Sequence, residues 1–277
     1  MAVRLRGLCW GVLLVLPLWL AGCAAGVGAG GASSPGAPLN ATGQDLVTAS
    51  DEPETRERAR LRLELARGYF EQGQTTVALD QVKQSLAADP LYAPALNLRG
   101  LIYVRLGEFR LAEASFQQAL RINARDGDTH HNLGWAYCQE ARYPEAVQAF
   151  GRALQVPGYT SAARTWLTQG ICQARGGLRE AAEGSLTKAY ELEPGNPITA
   201  YNLAALLHQR DQSDKARFYI RRLNNSELAN AESLWLGIKV ENRLGNRDVV
   251  RQLGDQLKRR YPQSRELASY ERGAFDE

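Results

Sequence analysis

Small and large apolar residues recur along this chain at one long, fixed period. From about Glu54 onward that period is near 34 residues: Tyr69, Tyr103 and Tyr137 stand 34 apart, as do Gly100 and Gly134, and Phe116 and Phe150. Gly170, Ala204 and Gly237 continue the glycine column at steps of 36, 34 and 33. A second small-residue column, Ala78, Ala112, Ala146, Ala182 and Ala216, runs 12 residues behind the first and ends on Val249. Each period predicts two helices that cross closely at the two small positions, where only Gly or Ala fits. Large residues around that crossing fill the remaining space. Gly73, Gly107 and Gly177 fall at the turn between the helices, where a left-handed backbone costs glycine little. Pro90 and Pro194 stop the second helix of two periods. One hairpin cannot bury its own faces, so successive hairpins must stack.

The columns are similar to those of the tetratricopeptide repeat: small at position 8, aromatic or apolar at 11, Ala at 20, aromatic at 24, small at 27 and Pro at 32. Six repeats start near Ala59, Ala93, Gly127, Ala163, Pro197 and Asn230. The third matches best, through His131-Asn132-Leu133-Gly134-Trp135-Ala136-Tyr137, and the sixth is weakest, with Val249 at the Ala position. Ala124 and Gly158 replace Pro, and Val156-Pro157-Gly158-Tyr159 adds an insertion of two residues. The resemblance implies an all-α, right-handed superhelical solenoid of about six repeats.

The N-terminal end is built differently. Met1 to Gly7 carries Arg4 and Arg6 and no acid, and Leu8 to Leu20 is a 13-residue apolar run. A charged segment followed by such a run is the layout of a secretory signal. A membrane-spanning helix needs roughly 20 strongly apolar residues. Here Pro17 interrupts the run, and Gly, Ala and Ser take over after Leu20. Leu20-Ala21-Gly22-Cys23 resembles the bacterial lipobox, in which the cysteine thiol receives a diacylglyceryl group, the chain is cut before it and the new amino group is acylated. The resemblance makes Cys23 the lipidation site. With Ala24 rather than Asp after it, it implies an outer-membrane anchor. Residues 24–40 are almost entirely Gly, Ala, Ser and Pro, a linker composition. Gly26, Gly28 and Gly31 spell G-x-G-x-x-G, but no strand precedes them, so a dinucleotide loop is excluded. The expected organisation is signal peptide over 1–22, lipidated flexible tether over 23–57, repeat solenoid over 58–263 and a C-terminal tail or cap over 264–277.

Composition works by exclusion. The 277 residues carry a net charge of +3, too little for a nucleic-acid partner. Two of the positive charges, Arg4 and Arg6, belong to the signal. Four cysteines do not make a disulfide scaffold in a chain of this length. His130 and His131 are adjacent and cannot share a metal as an i,i+4 pair could. No nucleophile elbow, Walker loop or zinc pattern occurs, so neither an enzyme nor a cofactor, metal or small-molecule substrate is expected. Cys138 and Cys172 lie on first helices of adjacent repeats and read as buried thiols. The alternative is a Cys138–Cys172 disulfide in an oxidising periplasm, which requires Cα atoms within about 7 Å, closer than helices packed about 8–10 Å apart usually bring them.

In a tetratricopeptide array the concave groove is formed mainly by positions 2, 5, 9 and 12 of the first helices. In this chain they include Phe70, Asn97, Leu101, His131, Trp135 and Tyr201, with Asn132 and Asn202 at position 6. An asparagine amide both donates to and accepts from an extended peptide, and apolar neighbours suit peptide recognition. The competing reading is that these side chains only pack between repeats.

Lipobox, tether and repeats together resemble the PilF/PilW family of type IV pilus biogenesis and stability lipoproteins. Ala231-Glu232-Ser233-Leu234-Trp235-Leu236-Gly237-Ile238 followed by Leu244-Gly245 looks like that family's last-repeat signature. Gly170-Ile171-Cys172, Pro157-Gly158-Tyr159 and Arg142-Tyr143-Pro144-Glu145-Ala146 also look like it. The resemblance implies a pilotin-like adaptor, lipid-anchored on the periplasmic face of the outer membrane. Its implied partner is the pilus secretin, whose localisation and multimerisation it promotes. A lipid-anchored periplasmic scaffold for cell-wall enzymes or outer-membrane protein assembly is the alternative.

Overall fold

The computed structural model describes residues 52–275. The lipobox with Cys23 and nearly all of the tether lie outside the described residues. Thirteen α-helices and no strand occur among the described residues. They pair as α1 (Glu54–Glu71) with α2 (Thr75–Ala88), α3 (Ala93–Leu106) with α4 (Phe109–Ile122), and α5 (Gly127–Gln139) with α6 (Tyr143–Leu154). The later pairs are α7 (Ala162–Arg175) with α8 (Arg179–Leu192), α9 (Pro197–Gln209) with α10 (Ser213–Asn224), and α11 (Ala231–Arg243) with α12 (Arg247–Arg260); α13 (Arg265–Glu271) follows. From the second hairpin on, each first helix begins within one residue of the start read from the period. The first helix begins earlier, at Glu54, inside the span read as tether. Pro53 precedes it, and Glu54 and Glu57 put negative charge in its first turn, where the helix dipole favours it.

Each hairpin closes on a position with little or no side chain. A Cβ on Gly134 would lie 2.8 Å from the Phe150 ring and 3.1 Å from the Ala146 carbonyl oxygen, and one on Gly170 would lie 2.6 Å from Leu186. Gly100 stands against Phe116 in the same way. The large residue at position 24 therefore lies across the space a side chain at position 8 would take. The alanine column is fully buried beside it. The turn is left-handed in all six hairpins: φ is 75–77° at Gly73, Gly107, Gly177 and Gly245, 59° at Ala141 and 58° at Asp211. Hairpin geometry thus imposes on Ala141 and Asp211 a conformation that costs an L-residue roughly 1–2 kcal/mol.

Every helix packs only on helices one or two places away in the chain. The backbone of each first helix lies close to that of the next, from α1 on α3 through to α11 on α13, whereas the backbones of successive second helices stand further apart, and α8 meets α10 through long side chains such as Tyr190 on Tyr219. First helices therefore follow the shorter arc and form the inner wall; second helices are spread along the outer side. At the C-terminal end α13 covers the last hairpin: Leu267, Tyr270 and Phe275 join Trp235 and Leu257 in one apolar cluster. Tyr270 fills the space over Gly254 of α12. The side chains of Asp126, Asn196, Asn230 and Ser264 cap the N-termini of α5, α9, α11 and α13, each worth about 1 kcal/mol.

Cys138 and Cys172 are joined in a disulfide, which corrects the expectation of two thiols. Their Cα atoms are 5.8 Å apart. A helix-axis separation of 8–10 Å does not forbid this, because each Cα stands about 2.3 Å off its axis toward the neighbour. The bond ties α5 to α7 across a sequence separation of 34 residues. In the chain-entropy description a loop of that length corresponds to about 3–4 kcal/mol of stabilisation. Reduction, or a Cys138→Ser/Cys172→Ser double substitution, is expected to lower the thermal midpoint by several degrees in circular dichroism. An unchanged midpoint would mean that the thiols are not bonded in solution.

A candidate peptide-binding surface on the inner wall

The inner wall is assembled from the exposed stripe of each first helix. Phe70 on α1, Asn97 and Leu101 on α3, Asn132 and Trp135 on α5, and Tyr201 and Asn202 on α9 are all half-buried. Leu101 packs against two successive apolar clusters, Trp135 against the second and Tyr201 against the next. Asn132 Nδ2 donates to Asn97 Oδ1 at 3.0 Å, so these two amides form one pair across α3 and α5. The pair leaves Asn132 Oδ1 to accept from, and Asn97 Nδ2 to donate to, an extended backbone. Asn202 is turned back on its own helix, donating to the Ile198 carbonyl at 2.7 Å.

Cations cover the aromatic rings. The Arg105 guanidinium lies 4.1 Å from the Phe70 ring centroid, and its Nη1 donates to the Phe70 carbonyl at 3.2 Å. Arg175 stands 5.8 Å from the Trp135 ring, and Lys239 stands 5.8 Å from Trp235. Such contacts are worth about 0.5–1 kcal/mol at exposed sites. The sequence reading found the aromatic residues but missed these cations. For one of them a signal existed: Arg105 follows Phe70 by one period plus one residue. The wall thus offers apolar rings edged with positive charge beside an amide pair. Extended peptide with apolar side chains and occasional carboxylates fits that chemistry.

His131 is not part of this surface. It is buried at 6% exposure, its Nδ1 is hydrogen-bonded to Thr165 Oγ1 at 2.9 Å, and its ring packs on Phe150 at 5.6 Å between centroids. Burial, with a smaller contribution from the Arg164 charge, pushes its pKa down to about 4. It therefore acts as a packed side chain between α5 and α7, and the recognition stripe passes beside it through Asn132 and Trp135. Among the described residues no cluster of His, Cys, Asp and Glu is arranged to hold a metal.

A second feature escaped the inner-groove positions altogether. Leu61 and Leu65, one turn apart on α1, are 48% and 50% exposed. They line a cavity of about 780 Å³ with Ala87 and Ala88 of α2. Both belong to the first repeat, on the side away from Phe70.

Tetratricopeptide repeat models match residues 91–158, 131–197 and 185–218. The type IV pilus assembly protein PilF of Pseudomonas aeruginosa is 28% identical over 209 residues, covering 76% of this chain and 83% of PilF. A solved structure of Pseudomonas aeruginosa PilF aligns with a TM-score of 0.69 at 27% identity, over 80% of this chain and 100% of that one. PilW, a widely conserved type IV pilus biogenesis factor of known structure, aligns with a TM-score of 0.69 at 29% identity, over 76% of this chain and 97% of its own.

The buried imidazole sets a pH dependence. Its folded pKa of about 4 lies below the unfolded value of about 6.5. The unfolded chain therefore takes up the proton first, and stability that is full above pH 6.5 is lost as pH falls toward 4. The expected loss is about 2–3 kcal/mol. An NMR titration should place the His131 midpoint well below 5. In denaturant unfolding, His131→Gln should flatten the difference in stability between pH 6.5 and 4. A midpoint near 6.5 would overturn the assignment.

Proposed function

The chain is a tetratricopeptide repeat protein homologous to PilF and PilW, and from that premise we propose that it serves type IV pilus biogenesis as a non-enzymatic adaptor. Its partner in this reading is the pilus secretin, whose localisation and multimerisation it promotes. The observation that carries the reading is the extent of the likeness: it runs through the whole repeat array and most of the length of PilF. The inner wall supports it chemically. Phe70, Leu101 and Trp135 offer apolar contact, the Asn97–Asn132 pair offers backbone hydrogen bonds, and Arg105 and Arg175 attract carboxylates. The sequence before the array supports lipid anchoring at Cys23, at the periplasmic face of the outer membrane. Anchoring would hold the array near the membrane in which a secretin pore assembles, and the tether would let it reach about 30 Å from the lipid.

Deleting the gene is expected to abolish surface pili and to remove heat-resistant secretin multimers from membranes. Normal multimers in the deletion strain would sink the secretin reading and favour a lipid-anchored scaffold for cell-wall enzymes or outer-membrane protein assembly. Trp135→Glu and Leu101→Glu are each expected to weaken secretin binding about tenfold, with helicity unchanged by circular dichroism. Full affinity in a folded variant would move the site off the inner wall. For the anchor, Cys23→Ala should abolish palmitate labelling and release the protein from the outer-membrane fraction. Labelling that persists would refute lipidation at Cys23.

A further inference from the structure

On the outer side of the array, the backbones of α10 and α12 stand apart. Between them lies a groove of about 780 Å³, floored by Gly237 and Glu241 of α11 and walled by Asn224, Gln252, Gln256 and Arg259. The floor is rigidly polar. Glu241 is 0% exposed, and its carboxylate accepts from Arg221 Nε and Asn246 Nδ2, each at 2.6 Å. Asn224 is 6% exposed, and its Nδ2 stands where a side chain on Gly237 would be. That nitrogen donates to the Ser233 carbonyl at 2.9 Å, while Asn224 Oδ1 has no hydrogen-bond partner among the described residues. Gln252, Gln256 and Arg259 make no hydrogen bond or ion pair among the described residues. The charged residues that line the groove are Arg221, Arg259 and Arg260 against Glu227 and Glu241; Arg221 is paired with Glu241, which leaves Arg259 and Arg260 against Glu227.

We propose that this groove is a second binding site, which seats an extended acidic peptide segment of a partner protein. Gln252 and Gln256 stand one helical turn apart, about 6 Å along the axis. Alternate peptide groups of an extended chain repeat at about 6.6 Å, so the two amides meet successive groups on one edge of the segment. Side-chain carboxylates of the segment meet Arg259 in charge-assisted hydrogen bonds. From Val249 to Arg260 the groove runs about 17 Å along α12, the length of about five extended residues. A flat lipid surface would reach the rim arginines but not the polar floor. The site lies on the opposite side of the array from Trp135 and does not depend on the secretin reading.

The test uses the full chain and three fluorescein-labelled octapeptides, alternating Val with Glu, Gln or Lys, read by fluorescence polarisation at low salt. The Glu peptide is expected to bind at least tenfold more tightly than the other two. Gln256→Ala and Arg259→Glu should each weaken it about tenfold, and the same charge reversal at the distant, exposed Arg152 should leave it unchanged. Equal binding of the Gln peptide, no binding of any peptide, or full affinity in Arg259→Glu would overturn the proposal. So would vesicles containing phosphatidylglycerol that bind the chain through Arg259 when no peptide does, which would make the basic face a lipid contact.

Discussion

The array depends on one steric condition, a glycine or alanine where the two helices of a hairpin approach most closely. Phe116 lies across Gly100, Phe150 across Gly134 and Leu186 across Gly170. A larger residue at any of these glycines would push the second helix outward and turn the hairpin. Because every helix packs only on its near neighbours, no distant contact would correct the error. The direction of the whole array is thus the accumulated result of six local crossings. The inner position of the first helices follows from the same geometry, since theirs are the backbones that lie close to one another from hairpin to hairpin.

The least regular junction, between the third and fourth hairpins, is also the most strongly bonded. The two-residue insertion breaks the period there. Its Tyr159 fills the space over Gly127, and its hydroxyl is hydrogen-bonded to Thr165 Oγ1 at 2.9 Å. The same Thr165 oxygen is bonded to His131, so one threonine links the insertion, α5 and α7. The Cys138–Cys172 disulfide joins the other ends of those two helices. A buried polar chain at one end and a covalent bond at the other fix the junction that the repeat pattern alone specifies least.

The two sides of the array offer different chemistry. On the inner wall, Phe70, Trp135 and Trp235 are each paired with a cation, and the amides are few. On the outer side, between α10 and α12, the groove is lined by amides and arginine around a buried carboxylate. At the glycine of the sixth repeat, Asn224 of the preceding hairpin enters beside Leu253: a Cβ on Gly237 would lie 2.5 Å from Asn224 Nδ2 and 3.3 Å from Leu253, whereas Phe116 and Phe150 make the closest contacts over Gly100 and Gly134.

Periodicity was enough to determine the hairpins, their order and nearly all their starts, because the size of a residue at a helix crossing is a property of that residue. Glycine at the turns of α1, α3 and α7 was equally legible. The matching left-handed Ala141 and Asp211 were not, since neither residue type announces that conformation and only hairpin closure forces it. Tertiary structure alone decided which polar side chains face outward and which are enclosed. His131 and Asn132 are neighbours in sequence, but a rotation of about 100° on the helix buries one against Thr165 and leaves the other on the wall. The disulfide, the cations over Phe70 and Trp135, and the amide groove each join residues from different repeats. Their partners are set by how hairpins stack, and stacking is a distance between helices that no single position in the sequence records.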